Sequence, residues 1–393
     1  MMRFTLIRAW CCTLLAAFAI WLLFAVLDVG GQRTLFFSEG SDLLSDFWMP
    51  KTCLVEGYRQ VGDDFPVVAG IEQSGWIDGR MRVRSVDRCY PAAALMPLKL
   101  FPATVNGALM WTALVMIVFV AAMCIIAGGW WPLVLIGTMP VLFNIERGNL
   151  VGLSAAAVAV FLAWYRSDSQ WQRMAAALAL SIATCLKISP MLLGLLYLPQ
   201  RDWKAIAWCI VFCTVLFLVP WCFVPGGFSA LPAFVSNASE NAVEYARTSE
   251  YGLVAFWRAV RVLFSQDCMH TWAGCISAMR ISQTAGLATV AIGVWRRSEL
   301  MVVVGMLWAA GNMHYYGALY LVPLFVIMLA NPSSCRLPSW RKYVYAACWF
   351  AILCPVQLVV FGHSANAILC NASAAVLAIL HGFGGVSDDV PLD

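Results

Sequence analysis

Residues 105–165 read VNGALMWTALVMIVFVAAMCIIAGGWWPLVLIGTMPVLFNIERGNLVGLSAAAVAVFLAWY, and across that stretch only Glu146 and Arg147 carry a formal charge. A membrane span needs about 20 apolar residues, a length this run supplies more than once. The pattern recurs along the chain, whose 393 residues are 62% hydrophobic and only 12% charged. A soluble domain has roughly 25% charged residues. An ordinary soluble enzyme is thereby excluded, and the expectation is an all-α polytopic membrane protein with residues 1–393 forming a single membrane domain. The net charge of +4, from 25 Lys and Arg against 21 Asp and Glu, is too small to suggest nucleic acid.

Working outward, Arg3 and Arg8 precede an uncharged run from Ala9 to Leu27. It reads as a retained first span rather than a signal peptide, because Leu27-Asp28-Val29-Gly30 is not a small-residue cleavage site. The polar stretch from Asp28 to about Tyr90 is too long for a simple connection within a bundle and reads as functional. Apolar stretches follow at about 105–127, 130–143, 150–165, 174–186, 189–198, 205–224, 281–295, 300–311, 316–330, 343–362 and 366–381. With the first they make about twelve, within a range of 10–13 transmembrane helices. The two that flank Lys187 are short for an upright span, which predicts short or broken helices meeting at one surface.

Orientation follows from the basic residues. Arg166, Arg173, Arg201, Lys204, Arg296, Arg297, Arg336, Arg341 and Lys342 fall in alternate short connectors, which the positive-inside rule places in the cytoplasm. The connectors around Gly311–Gly317 and Gly362–Ala365 hold no Lys or Arg. They are expected outside the cytoplasm, together with the long first loop, residues 28–91.

Most of the 15 cysteines lie inside apolar runs, where Cys behaves as a small hydrophobe. No C-x-x-C pair exists, so zinc and thioredoxin-type readings have no support. Cys53 with Cys89, and Cys268 with Cys275, are candidates for disulfides if their loops face an oxidising compartment. Asn237-Ala238-Ser239 is a glycosylation sequon.

The charges inside apolar sequence carry the chemical information. Phe143-Asn144-Ile145-Glu146-Arg147-Gly148-Asn149-Leu150 admits two readings: an ion pair capping two helices at the interface, or an anion site. The second would combine a forked guanidinium, a glycine that lets backbone approach, and a helix N-terminus starting at Asn149. Lys187, in Cys185-Leu186-Lys187-Ile188-Ser189-Pro190, reads either as a snorkelling lysine or as a phosphate ligand at a helix break made by Pro190. The topology puts it opposite the basic connectors, which favours the phosphate. His314, in Gly311-Asn312-Met313-His314-Tyr315-Tyr316-Gly317, stands in a span without Asp, Glu, Lys or Arg. Its outer-face position raises it above a structural histidine. In the first loop Asp42 and Asp46 are spaced to share one helical face if the segment is a helix, a turn being the equal alternative, and Asp63 and Asp64 are further carboxylates.

These residues in this order resemble glycosyltransferase family 87. The resemblance rests on Asp46-Phe47, Tyr90-Pro91-Ala92-Ala93-Ala94-Leu95-Met96-Pro97-Leu98, Glu146-Arg147-Gly148-Asn149, Lys187-Ile188-Ser189-Pro190 and His314-Tyr315, over about residues 5–330. It implies a GT-C-type bundle with a long extracytoplasmic first loop, and an inverting hexosyltransferase of the cell membrane. That enzyme would move a hexose, mannose in the best-known members, from a polyprenyl-phosphate-linked donor to a lipid or glycan acceptor. The resemblance casts Asp46 as general base and His314 as its neighbour. It casts Arg147 and Lys187 as ligands of the donor phosphate with Asn149 beside them, and Glu146, Tyr90 and Tyr315 as supporting residues. It implies no cofactor and assigns no metal ligand. Two departures are Asn149, where many members have Gln, and Ala92, where a second Pro often follows Tyr-Pro.

The residues themselves agree with that chemistry. Inverting transfer needs one base for the incoming hydroxyl and cations for the departing phosphate. No Asp-x-Asp, G-x-G-x-x-G or P-loop is present to handle a nucleotide. A transporter or flippase of lipid-linked sugars would use the same Arg and Lys and need no base; such proteins often carry internal repeats, and none is visible.

Overall fold

In the computed structural model the described residues are 44–58, 89–246, 272–310, 315–330, 339–354, 359–360, 363–364 and 366–383, with 11–12, 15, 19, 253–254 and 256. Most of the first apolar run, most of the first loop, Asp42, Asp63, Asp64, Cys268 and His314 lie outside them. The described chain is helical apart from one small antiparallel pair, β1 (Val359–Val360) with β2 (His363–Ser364).

Helix α1 (Ser45–Glu56) and the short α2 (Ala92–Leu95) come from the two ends of the first loop. The longest apolar helix of the first half, α3 (Val105–Ala127), starts where the Thr104 hydroxyl accepts from Gly107 N and stops at Gly128, whose φ is +62°. After a 3₁₀ segment, Trp131–Gly137, come α4 (Met139–Arg147) and α5 (Val151–Trp164). Helix α6 (Gln170–Leu186) ends because Lys187 is extended (φ −146°, ψ 126°), and Pro190 opens a 3₁₀ segment, Ser189–Tyr197. The short, broken elements expected around Lys187 are present. Next are α7 (Trp203–Leu218), α8 (Leu231–Ala246), α9 (Trp272–Trp295) and α10 (Glu299–Ala309). A 3₁₀ segment, Tyr315–Tyr320, leads into α11 (Val322–Ala330), α12 (Ser339–Leu353) and α13 (Asn366–Phe383).

By length and composition, Val105–Ala127 and Trp203–Phe223 can each cross a membrane. The outward surface of α7 is apolar: Ile210 and Val211 are more than half exposed. Every exposed tryptophan among the described residues (Trp130, Trp171, Trp203, Trp295 and Trp340, 57–79% exposed) sits in or beside the connector that follows α3 or one of the basic connectors. Three of those connectors are gathered at one end. Arg166 reaches Glu299 at 3.3 Å and the Arg297 carbonyl at 3.1 Å, and Arg173 reaches Asp202 at 3.3 Å. Indole rings at the edge of an apolar band mark a membrane interface.

Helices α3, α5, α6 and α7 pack in sequence, and α11 lies against α3 and α5. Helices α9 and α10 form the tightest pair, because Gly286 lets the backbones meet: a Cβ there would lie 2.2 Å from Ala309 N. Two hydrophobic clusters result. The larger fills the bundle from Phe119 to Ala378, including Phe143, Tyr315 and Tyr316. The smaller gathers α1, Tyr90, α2, Trp111, Leu150, Trp221 and Phe234.

Candidate active site

The charged residues singled out in the sequence meet where these two clusters adjoin. Leu44, which precedes α1, has φ +57°, and its N–H donates to the Glu146 carbonyl at 2.6 Å. A non-glycine residue in the left-handed region is strained, and here it turns the chain so that the first turn of α1 meets the last turn of α4. Asp46 stands at the first helix's N-terminus and Arg147 at the second's C-terminus, the sign each helix dipole favours. Arg147 Nε donates to Asp46 Oδ2 at 2.9 Å, with both side chains buried.

Tyr90 closes the other side of the carboxylate. Its hydroxyl donates to Asp46 Oδ1 at 2.7 Å, and Tyr58 OH donates to the Tyr90 carbonyl at 2.5 Å. The Lys187 ammonium lies 5.4 Å from the Tyr90 ring centre and 5.9 Å from that of Tyr316. Half-buried between the rings, it has no carboxylate within ion-pair distance among the described residues. Burial by itself pushes the Asp46 carboxyl up. The charges of Arg147 and Lys187 and the hydrogen bonds from Arg147 and Tyr90 outweigh it, holding the group below the ordinary carboxylate value. Burial and the Asp46 charge push the Tyr90 phenol well above its ordinary value, so it remains a donor.

The rest of α1 is held along its length. Lys51 Nζ donates to the Leu98 carbonyl at 2.7 Å and also to that of Phe101. The Tyr58 ring packs on Trp221 and Phe234, 5.2 and 5.9 Å between centres. Three buried donors near Asp46 and Arg147 in the chain, Ser45 Oγ, Trp48 Nε1 and Asn149 Nδ2, have no hydrogen-bond partner among the described residues. Buried polar groups are nearly always paired, so each of these donors is unusual for a protein interior.

Asp46, Arg147, Lys187 and Tyr90 thus come together. Asn149 is fully buried beside Arg147, and its Oδ1 accepts from Val151 N at 2.9 Å. Glu146 is buried and joins the site through its carbonyl. Tyr315 packs edge-on against Phe143 rather than on the carboxylate. The helix after Arg147 starts at Val151, not at Asn149. Gly148, at φ +62°, and Asn149 turn their N–H groups back to Ile145 and Asn144, and Asn149 Oδ1 takes that of Val151. An anion here would therefore be met by side chains, not by the expected helix N-terminus. Cys53 and Cys89 are not joined to each other. Among the described residues no three His, Cys, Asp or Glu side chains cluster as metal ligands.

Two partners went unrecognised in the sequence: Tyr316, whose ring faces Lys187, and Lys51. The signal for Lys51 was a lone cation in Phe47-Trp48-Met49-Pro50-Lys51-Thr52-Cys53-Leu54. Tyr316 had none beyond its place beside Tyr315.

The fold and site define a helical protein with two apolar helices long enough to cross a membrane and, at one end of the bundle, a buried carboxylate and guanidinium beside a half-buried ammonium. Residues 90–313 match the family model of glycosyltransferase family 87, and the chain belongs to that family. It is a glycosyltransferase. Asp46 lies before the matched span and His314 one residue beyond it. No curated protein and no solved structure matches the chain.

Proposed function

We propose that this glycosyltransferase moves a hexose, in the first instance mannose, with inversion from a polyprenyl-phosphate-linked donor to a lipid or glycan acceptor on the extracytoplasmic face of the cell membrane. The observation that carries the reading is the convergence of Asp46, Arg147 and Lys187. One buried carboxylate already holds hydrogen-bond donors on both oxygens, and an ammonium with no ion-pair partner among the described residues lies nearby.

In this reading Arg147 and Lys187 bind the donor phosphate. The acceptor hydroxyl gives its proton to Asp46 while its oxygen bonds to the anomeric carbon. The bond from that carbon to the phosphate oxygen breaks, and the polyprenyl phosphate leaves with the electron pair, its added charge met by the two cations. A bound phosphate also counters the charges that hold Asp46 down, so the carboxylate is a stronger base with donor present than without. His314 retains the role of its neighbour. The outer face is supported by the site's position at the end of α6 opposite the Trp and Arg connectors; the 17 residues of α6 separate the two ends by about 25 Å.

The test is sugar transfer by the purified protein in lipid nanodiscs, from polyprenyl-phosphate-linked mannose or glucose to a mixed glycolipid extract. Asp46→Asn is expected to lose at least about 100-fold in turnover and to keep donor binding. Binding without transfer by the wild type, across varied acceptors, would instead indicate a carrier of lipid-linked sugars.

A further inference from the structure

Tyr90 touches both halves of the site with different parts of one side chain. Its hydroxyl holds Asp46 Oδ1 at 2.7 Å, and its ring stands 5.4 Å from the Lys187 ammonium. It is itself fixed. The residue is buried, its carbonyl is held by Tyr58 OH, and Pro91 follows as the N-cap of α2. A phenylalanine here would supply the ring alone, and a serine a hydroxyl too short to reach the carboxylate while filling the same space.

We infer that Tyr90 is the positioning residue that joins the base to the phosphate-binding cation: its hydroxyl orients the Asp46 carboxylate and its ring face seats Lys187. This rests on the proposed roles of Asp46 and Lys187. The hydroxyl donates to one carboxylate oxygen and Arg147 to the other, so the plane of the carboxyl is set from both sides. Each oxygen keeps a second lone pair for the acceptor's proton. The ring attracts the ammonium through its π face without neutralising it. Lys187 is thereby held in place with its charge still available to a phosphate, which a carboxylate in the same position would not allow.

The two contacts are separable by substitution. Tyr90→Phe keeps the ring and removes the hydroxyl; Tyr90→Leu removes both. Three measurements on full-length protein in nanodiscs read them: steady-state transfer against pH, calorimetric binding of farnesyl phosphate, and infrared titration of the Asp46 carboxyl, identified by its loss in Asp46→Asn. For Tyr90→Phe, kcat should fall roughly 10- to 150-fold, the worth of a hydrogen bond to a charged group. Farnesyl phosphate binding should be unchanged. The hydroxyl favours the charged carboxylate, so its loss should move the acid limb of kcat, and the infrared titration, to higher pH. For Tyr90→Leu, farnesyl phosphate should in addition bind roughly 2- to 30-fold more weakly, the range of a cation–π contact.

A purely structural Tyr90 would show equal losses in both variants and no movement of the Asp46 titration with Tyr90→Phe; that pattern overturns the inference. So does wild-type behaviour of Tyr90→Phe, or failure of the wild type to bind farnesyl phosphate. If Tyr90→Leu does not fold, Tyr90→Met replaces it with a side chain that adapts to the gap. If the wild type transfers no sugar, the proposed reaction fails, yet the infrared titration and the binding measurement still decide the role of Tyr90.

Discussion

Removing Arg147 while keeping Asp46 isolates the electrostatics of the site. In Arg147→Met the carboxylate stays at 4% exposure with Tyr90 and Lys187 nearby but without its 2.9 Å partner. Breaking a buried pair from one side costs about 3–5 kcal/mol, and the pair is buried enough for that figure to apply without a large solvent discount. The sign with pH follows from the direction of the shift. Because the folded Asp46 carboxyl lies below its ordinary value, its contribution is complete above about pH 4 and is lost as pH falls through the folded value. In the variant, burial acts with less opposing charge and the carboxyl protonates at higher pH. A protonated Asp46 needs no guanidinium, so the deficit relative to wild type should be largest at neutral pH and shrink on acidification. The assay is unfolding in mixed micelles with increasing denaturing detergent at several pH values, with Asp46→Asn and the double variant completing the cycle. The double variant should be less damaged than the sum of the singles, by 0.5–3 kcal/mol or roughly so. A deficit that is flat with pH, or additive singles, would refute the argument.

Lys187→Ala should weaken farnesyl phosphate binding while leaving the unfolding midpoint within about 0.5 kcal/mol of wild type, since a half-buried lysine with no ion-pair partner among the described residues contributes little to folding. Gly148→Ala should cost about 1–2 kcal/mol from the left-handed backbone alone. Its Cβ would also sit 3.3 Å from Thr112 Oγ1 and from Leu44 Cδ2, so turnover should fall as Arg147 and Leu44 are displaced; the detergent midpoint and a transfer assay check both. Gly286→Ala places a methyl 2.2 Å from Ala309 N and 2.6 Å from the Gly305 carbonyl, which should separate α9 from α10 at a cost of about 1–3 kcal/mol or more. Thermal denaturation in nanodiscs measures it.

What was legible in the sequence was local. The apolar lengths, the breaks at Gly128, Gly148 and Pro190, and the isolation of Arg147 and Lys187 in apolar sequence follow from burial, capping and proline chemistry. These act within a few residues. The family resemblance then selected Asp46 from several loop carboxylates that composition left equivalent.

Which groups meet was decided by the tertiary structure. Glu146 and Arg147 suggested a neighbouring pair, but the guanidinium reaches Asp46, 101 residues away, because the strained turn at Leu44 seats α1 on the end of α4. The backbone donors expected to bind an anion at Gly148 and Asn149 are taken up in capping α4, which only the course of the chain reveals. The resemblance marked Tyr90 as a supporting residue, but neither its bond to Asp46 nor the role of Tyr316 could be picked out among 11 tyrosines, since an aromatic ring in an apolar protein carries no signal until a cation lies over it. Hydrophobicity and capping are read from neighbours in sequence, whereas ion pairs and ring contacts require neighbours in space, and those are set by how the helices stack.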